Sequence, residues 1–214
     1  MTVPLAGRLR AATKELHTAV ERAGVMRPLL RGQLPRADYL RLLRNLHLIY
    51  QALEAGLAQQ ATHPQLSPLL QPQLLRTQAL AQDLDDLYGP GWAHGVALEP
   101  AAAAYAVHLK SLAATRPGLL AAHVYVRYLG DLSGGQMLAR IVAQGLCLAP
   151  GVGVAFYDFG PVERVADLGR GLRQALDRIA ADEAEAAALV DEACSAFVRH
   201  RDLFEQLAQP VALH

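Results

Sequence analysis

The chain has 214 residues and 52% of them are hydrophobic, which fits one domain with a sizeable core and excludes a disordered chain. Lys+Arg and Asp+Glu number 20 each, so the formal net charge of +0 excludes a global field that would draw in nucleic acid. No apolar run approaches the ~18 residues of a membrane span, the opening Met1-Thr2-Val3-Pro4-Leu5 lacks the pattern of a signal peptide, and the expectation is a soluble cytoplasmic protein without a membrane anchor.

Apolar residues recur at helical spacing nearly throughout, with Ala, Leu, Arg and Gln dominating. A first helix is predicted from about Leu5 to Gly24. A second starts near Pro35 and carries Leu42, Leu46, Ile49, Tyr50, Leu53 and Leu57, with Pro35 suited to a first turn and Asp38 to the positive end of the helix dipole. A shorter helix covers Leu74 to Leu87 and stops at the breaker Gly89-Pro90-Gly91. Another runs from about Pro100 to Ala113, followed by the punctuation Thr115-Arg116-Pro117-Gly118. A long segment follows from Leu119 to Leu146, and a loop extends from Pro150 to Pro161 with room for turns or short strands around Val154 to Tyr157. The last two helices span about Val162 to Ile179 and Glu183 to Leu207. No internal repeat or linker divides the chain, so residues 1–214 are expected to form one all-α domain. Cys147 and Cys194 show no metal-ligand spacing and are expected to be ordinary buried thiols.

Within the long segment, Tyr125-Val126-Arg127-Tyr128-Leu129-Gly130-Asp131-Leu132-Ser133-Gly134-Gly135-Gln136 reads as helix yet carries three glycines. Each glycine costs roughly 1 kcal/mol against alanine inside a helix. A helix that carries such a cost has a use for bare backbone, and a flat, wide ligand touching the chain where Cβ atoms would stand is such a use. Asp131 is the lone carboxylate on that surface.

On the first helix, taking His17 as reference and 100° per residue, Arg10 falls at about 20°, Lys14 at about 60° and Glu21 at about 40°. Leu5, Leu9, Leu16 and Val20 form a separate apolar stripe between about −60° and −120°. His17 therefore stands where the core meets a cationic strip. Alone, such a histidine is a half-buried member of a charged face. Beside a bare-backbone helix it becomes a metal ligand, with Arg10 and Lys14 for ligand anions and Glu21 for the other ring nitrogen. An axial nitrogen, cations and room for a macrocycle are what heme requires. The remaining histidines carry bland readings. His47 and His123 are placed on helices and buried, His63, His94 and His214 in loops or the tail, and His108 and His200 at the surface, none with metal-ligand spacing to another.

These residues resemble the heme oxygenase family in its soluble, bacterial-type, biliverdin-producing form. Arg10-Ala11-Ala12-Thr13-Lys14-Glu15-Leu16-His17-Thr18-Ala19-Val20-Glu21 is similar to the family's proximal-helix signature, and Tyr125 to Gln136 to its distal-helix signature. Ile49 to Glu54, Asp83 to Trp92 and Ala196 to Leu207 resemble further family segments in the expected order. The resemblance implies a helical fold with heme sandwiched between a proximal helix and a kinked, glycine-rich distal helix. It implies cleavage of heme, as both substrate and cofactor, to biliverdin with release of carbon monoxide and ferrous iron, using molecular oxygen as co-substrate. By the same resemblance His17 is the iron ligand and Glu21 its partner. Arg10, Lys14, Tyr125 and Arg173 hold the propionates. Gly130, Gly134 and Gly135 form the distal wall. Asp131 organises distal water, with Tyr50 and Arg127 in that network. One departure stands out: a turn before Arg173, where family members often carry a second cation, this chain has Gly169 followed by Arg170, which leaves the propionate clamp and the choice of meso carbon open.

An imidazole ligand gives bound oxygen less push toward O–O cleavage than a thiolate does. Asp131 suits a role as a holder of ordered water that delivers a proton, rather than as a direct ligand. Gly151-Val152-Gly153 lacks the rest of a dinucleotide fingerprint, so electrons are expected from an external ferredoxin, flavodoxin or flavin reductase. The resemblance fits a monomer or weak dimer. The rival reading is a heme carrier or sensor that binds through His17 without turnover.

Overall fold

The computed structural model describes residues 4–179 and 182–210, so His214 lies outside the described residues. Ten α-helices and several short 3₁₀ turns make up the regular structure of the described residues: α1 (Leu5–Glu21), α2 (Met26–Leu30), α3 (Arg36–Gln59), α4 (Thr77–Tyr88), α5 (Trp92–Gly95), α6 (Pro100–Thr115), α7 (Leu120–Val124), α8 (Gly130–Gly145), α9 (Val162–Leu176) and α10 (Glu183–Leu207). Between α7 and α8 the chain stays helical but widens to a π-helical turn over Tyr125–Leu129. The predicted turns near Val154 form a 3₁₀ turn at Ala155–Tyr157.

The ends follow local chemistry. Pro35 stands just ahead of α3, and Asp38 sits in its first turn, where a negative charge meets the exposed N–H groups. Pro100 opens α6, where its missing N–H leaves nothing unsatisfied. Asp182 caps α10 by accepting the Glu185 N–H at 2.8 Å. Gly24 turns α1 toward α2 at φ +42°, with its α-carbon so close to the Phe204 carbonyl that no side chain fits there.

The helices share one hydrophobic core. α3 supplies Tyr39, Leu43, Ile49, Tyr50 and Leu53, all fully buried at helical spacing. Each such side chain contributes roughly 1.5–3 kcal/mol through removal from water. α3 packs against α4 on one side and α6 on the other, and α1 lies along α10. Arg41 joins these layers by an ion pair to Glu99 at 2.6 Å and hydrogen bonds to the Leu207 and Gln209 carbonyls. Among the described residues no helix is long and apolar enough to cross a membrane.

Three expectations need correction. Cys147 is exposed, because it follows the end of α8 in the left-handed region at φ +52° and points outward. Cys194 is half-buried, its Sγ beside the Ala12 carbonyl where α10 meets α1. His200 is buried rather than superficial: α10 is covered by α1, α7 and α6, so His200 packs edge-on against Tyr105 at 5.0 Å and its Nδ1–H donates to the Ala196 carbonyl.

Candidate functional site

The sequence of α1, with apolar and charged stripes on different faces, places its cations along an open wall. That wall, the π turn, the start of α8 and α9 enclose a cleft of about 670 Å³, a size suited to a bound organic molecule. Arg10, Lys14 and His17 line it from α1, Tyr125 from the π turn, Gly130 and Ser133 from α8, Arg173 from α9 and Phe197 from α10. The cleft is thus apolar at its floor and cationic at its edge.

His17 is half-exposed and meets the edge of the Phe197 ring at a centroid distance of 5.9 Å. Its Nδ1 lies 3.6 Å from Glu21 Oε1, one helical turn on, which leaves Nε2 as the nitrogen available to a ligand. Glu21 itself is not part of the cleft lining. No carboxylate pairs with Arg10, Lys14 or Arg173 among the described residues. Three cations left unpaired around one opening form an anion-accepting rim. Tyr125 is less free. Thr13 donates its hydroxyl hydrogen to the Leu9 carbonyl at 2.7 Å, so the 3.1 Å contact between Thr13 and Tyr125 is donated by Tyr125.

The opposite wall is the glycine helix. Nothing lies within 4 Å of where a Cβ would stand at Gly130 or Gly134, but of the two only Gly130 lines the cleft, and Gly134 is half-buried outside it. Gly135 is different and corrects the expectation that it belongs to the same wall. It is buried, and its missing Cβ faces the Tyr157 carbonyl at 3.3 Å. Its smallness serves the packing of α8 on the loop. The widening of the helix also falls ahead of the glycines, at residues 125–129, rather than on them. Such π turns sit frequently at functional sites because they shift the register of the side chains that follow.

Behind Gly130, Asp131 is buried and absent from the cleft lining. It joins two other sequence candidates in one cluster. Tyr50 donates its hydroxyl hydrogen to Asp131 Oδ2, Arg127 Nη2 donates to Asp131 Oδ1 at 3.0 Å, and Arg127 Nε donates to the Tyr50 oxygen at 3.0 Å. The three are bonded directly to one another, so each holds the others in place. Burial pushes the Asp131 carboxyl above its usual range while Arg127 and Tyr50 pull it back. Burial also works against the Arg127 charge, but Asp131 and Tyr50 outweigh it and raise the guanidinium further. Tyr128 and Phe156 pack edge-on against the Tyr50 ring at 5.7 and 5.5 Å and fix its position.

On α9, Arg173 reaches the cleft and Arg170 does not. Arg170 is exposed and paired with Asp167, one turn back on its own helix. Gly169 is buried, and a Cβ there would stand 3.3 Å from Arg173 Nη1. The glycine leaves room for the Arg173 guanidinium. Asp177 also lines the cleft and accepts the Ala6 N–H at 2.8 Å, tying α9 to the start of α1. Sequence reasoning missed Asp177, Ser133, Thr13 and Phe197. Thr13 was legible as the neighbour of Lys14 on α1, whereas Phe197 and Asp177 reach the cleft only through the packing of α10 and α9 on α1.

Comparison with known proteins places these features in a family. The family model described as heme oxygenase matches residues 3–206. The chain is 39% identical to heme oxygenase 1 of Nostoc sp. over 207 residues, covering 97% of this chain and 87% of that one. Its fold matches the crystal structure of heme oxygenase-1 from the cyanobacterium Synechocystis sp. in complex with heme, with TM-score 0.90, 40% identity and coverage of 96% of this chain and 92% of that one. It also matches heme oxygenase-2 from Synechocystis sp. in complex with heme and NO, with TM-score 0.92, 38% identity and coverage of 96% and 85%.

Proposed function

The chain belongs to the heme oxygenase family and degrades heme to biliverdin, carbon monoxide and iron, and on that premise we propose that heme lies in the cleft between α1 and α8. The observation that carries this placement is the pairing of His17 and three unpaired cations on one side with the open backbone of Gly130 on the other.

In this reading His17 Nε2 holds the iron, and Glu21 orients the ring through Nδ1. Arg10, Lys14 and Arg173 take the propionates at the rim, with Tyr125 beside them on Thr13. Bound heme supplies the iron at which dioxygen is reduced and the ring edge that is oxidised. The protein's own residues do the rest. Gly130 lets the α8 backbone approach the ring face, with Ser133 beside it. Asp131 orders the water that delivers a proton, its carboxyl raised by burial against the pull of Arg127 and Tyr50. Tyr50 and Arg127 keep that carboxylate from turning into the cleft as a ligand. Gly134 backbone, Asp131, Tyr50 and Arg127 are the distal group; Gly135 supports it from behind.

Electrons come from a separate ferredoxin, flavodoxin or flavin reductase, and the cationic rim is where an acidic donor would find the heme edge. The reading includes a monomer or weak dimer in the cytoplasm, and the two free cysteines fit a reducing compartment.

The iron ligand is tested by hemin titration of the wild type and of His17→Ala. The variant is expected to lose the histidine-ligated absorption spectrum and to regain it with added imidazole. A histidine-ligated spectrum in His17→Ala without imidazole would assign the iron elsewhere.

A further inference from the structure

Outside the heme cleft, three chemistry-bearing side chains from three helices meet at one point. His108 of α6 and His123 of α7 both direct Nε2 at the same oxygen, Oε1 of Glu192 on α10, at 2.7 and 3.0 Å. The three ligand atoms all lie within 4.8 Å of one another. We propose that His108, His123 and Glu192 form a binding site for a divalent transition ion of the zinc class.

Two imidazole nitrogens and one carboxylate oxygen are a donor set that Zn²⁺ and its neighbours accept, with a fourth position left for water. Ligand distances of about 2.0–2.2 Å place tetrahedral donors ~3.4 Å apart, so the contacts of 2.7 and 3.0 Å need to open by roughly half an ångström. The site has a closed floor and an open mouth: the side chain of His123 is 0% exposed, that of Glu192 12% and that of His108 23%. An ion enters past His108.

The surroundings prepare the ligands. His123 Nδ1 lies 2.8 Å from the Tyr105 hydroxyl, the kind of outer contact that fixes the ring of a metal-binding histidine. With no ion bound, Nε2–H donates to Glu192 and Tyr105 donates to Nδ1. With an ion on Nε2 the proton sits on Nδ1 and donates to the Tyr105 oxygen. His123 carries one proton in both states, so binding costs it no deprotonation. A bound ion would clip α6, α7 and α10 together directly behind the π turn that shapes the heme cleft.

The experiment uses the heme-free full-length chain, so that visible absorption is clear, and titrates it with Co²⁺. The expected result is one equivalent of Co²⁺ bound with visible ligand-field bands that Zn²⁺ bleaches by displacement. His108→Ala, whose truncation is at the protein surface, and Glu192→Gln should abolish the bands. Tyr105→Phe keeps all three ligands and should weaken binding on the order of 10- to 100-fold. His17→Ala should leave the bands unchanged, which separates this site from His17 and Glu21. Absence of saturable Co²⁺ bands in the wild type, or bands that persist in His108→Ala, would overturn the proposal and leave the cluster as a hydrogen-bonded clamp.

Discussion

Tyr50 on α3 and Asp131 on α8 are bonded directly, hydroxyl to carboxylate, across 81 residues of sequence, and Arg127 bonds to both. The arrangement places the distal carboxylate behind the glycine surface and holds it there from two sides. Removing the carboxylate should therefore separate heme binding from productive turnover. Asp131→Ala is expected to bind hemin and to consume it while biliverdin yield falls by about 10²-fold or more, the scale of a lost proton-transfer group. Pigment analysis after a reductase-driven reaction checks this. Biliverdin at the wild-type yield would remove Asp131 from the proton path.

The neighbouring glycines should respond in opposite ways. Gly130 has open space where a Cβ would go, whereas Gly135 faces the Tyr157 carbonyl at 3.3 Å. Gly130→Ala should stabilise α8 by about 1 kcal/mol, the helix-propensity difference, and impair turnover by filling the cleft wall. Gly135→Ala should lower the melting temperature, because the Tyr157 backbone must give way. Thermal unfolding of the two heme-free variants, set beside their turnover, reads both effects. Parallel changes in stability would contradict the different placement of the two residues.

The two arginines of α9 are separable in the same manner. Arg173 lines the cleft, and Arg170 is occupied by Asp167 at the surface. Arg173→Ala should weaken hemin binding by about 10- to 100-fold, the worth of a charge-assisted bond of about 1.5–3 kcal/mol, and alter the mixture of biliverdin isomers. Arg170→Ala should change neither. Chromatography of the pigment isomers measures the difference directly.

A pH effect on stability follows from Asp83. Burial raises its pKa from the usual 3.8 to about 6, against the pull of the Phe156 and Ala155 N–H groups that it accepts. Between these values the folded chain binds more protons than the unfolded chain, so this residue's contribution to stability falls as pH rises from about 4 to 6. The full effect is on the order of 3 kcal/mol. Denaturant unfolding should show the stability of the wild type minus that of Asp83→Asn rising as pH falls from 7 to 4. A difference independent of pH would contradict it. The bonds matter to the site because they pin the turn that carries Phe156 against Tyr50 and Tyr157 against Gly135.

The helical architecture was legible because the chain marks its own boundaries. The 183–207 helix carries an aspartate cap, α4 stops at Gly89, and α3 repeats its apolar residues at helical spacing. Predicted ends differ where tertiary contact decides: α1 stops at Glu21, short of Gly24, and α9 at Leu176, short of Ile179. The cleft-lining strip of Arg10, Lys14 and His17 was readable as one helical face. Gly135 was not, because its reason lies in Tyr157, which the chain brings back from beyond α8. Arg170 offers a cation near the missing one in sequence, but Asp167 pairs with it outside the cleft. His108, His123 and Glu192 have no local spacing at all: Glu192 lies 84 and 69 residues from its two histidines, and only the packing of α6, α7 and α10 joins them.

The most direct measurement is an absorption time course. The purified chain is loaded with hemin and supplied with a reductase system and air, with catalase present to remove free peroxide. Loss of the Soret band with growth of a biliverdin band is the expected result, and Asp131→Ala in the same cuvette series should lose the first without gaining the second. A stable oxygenated heme spectrum with no bile pigment, despite confirmed electron delivery, would contradict heme cleavage at this cleft and leave a heme carrier in its place.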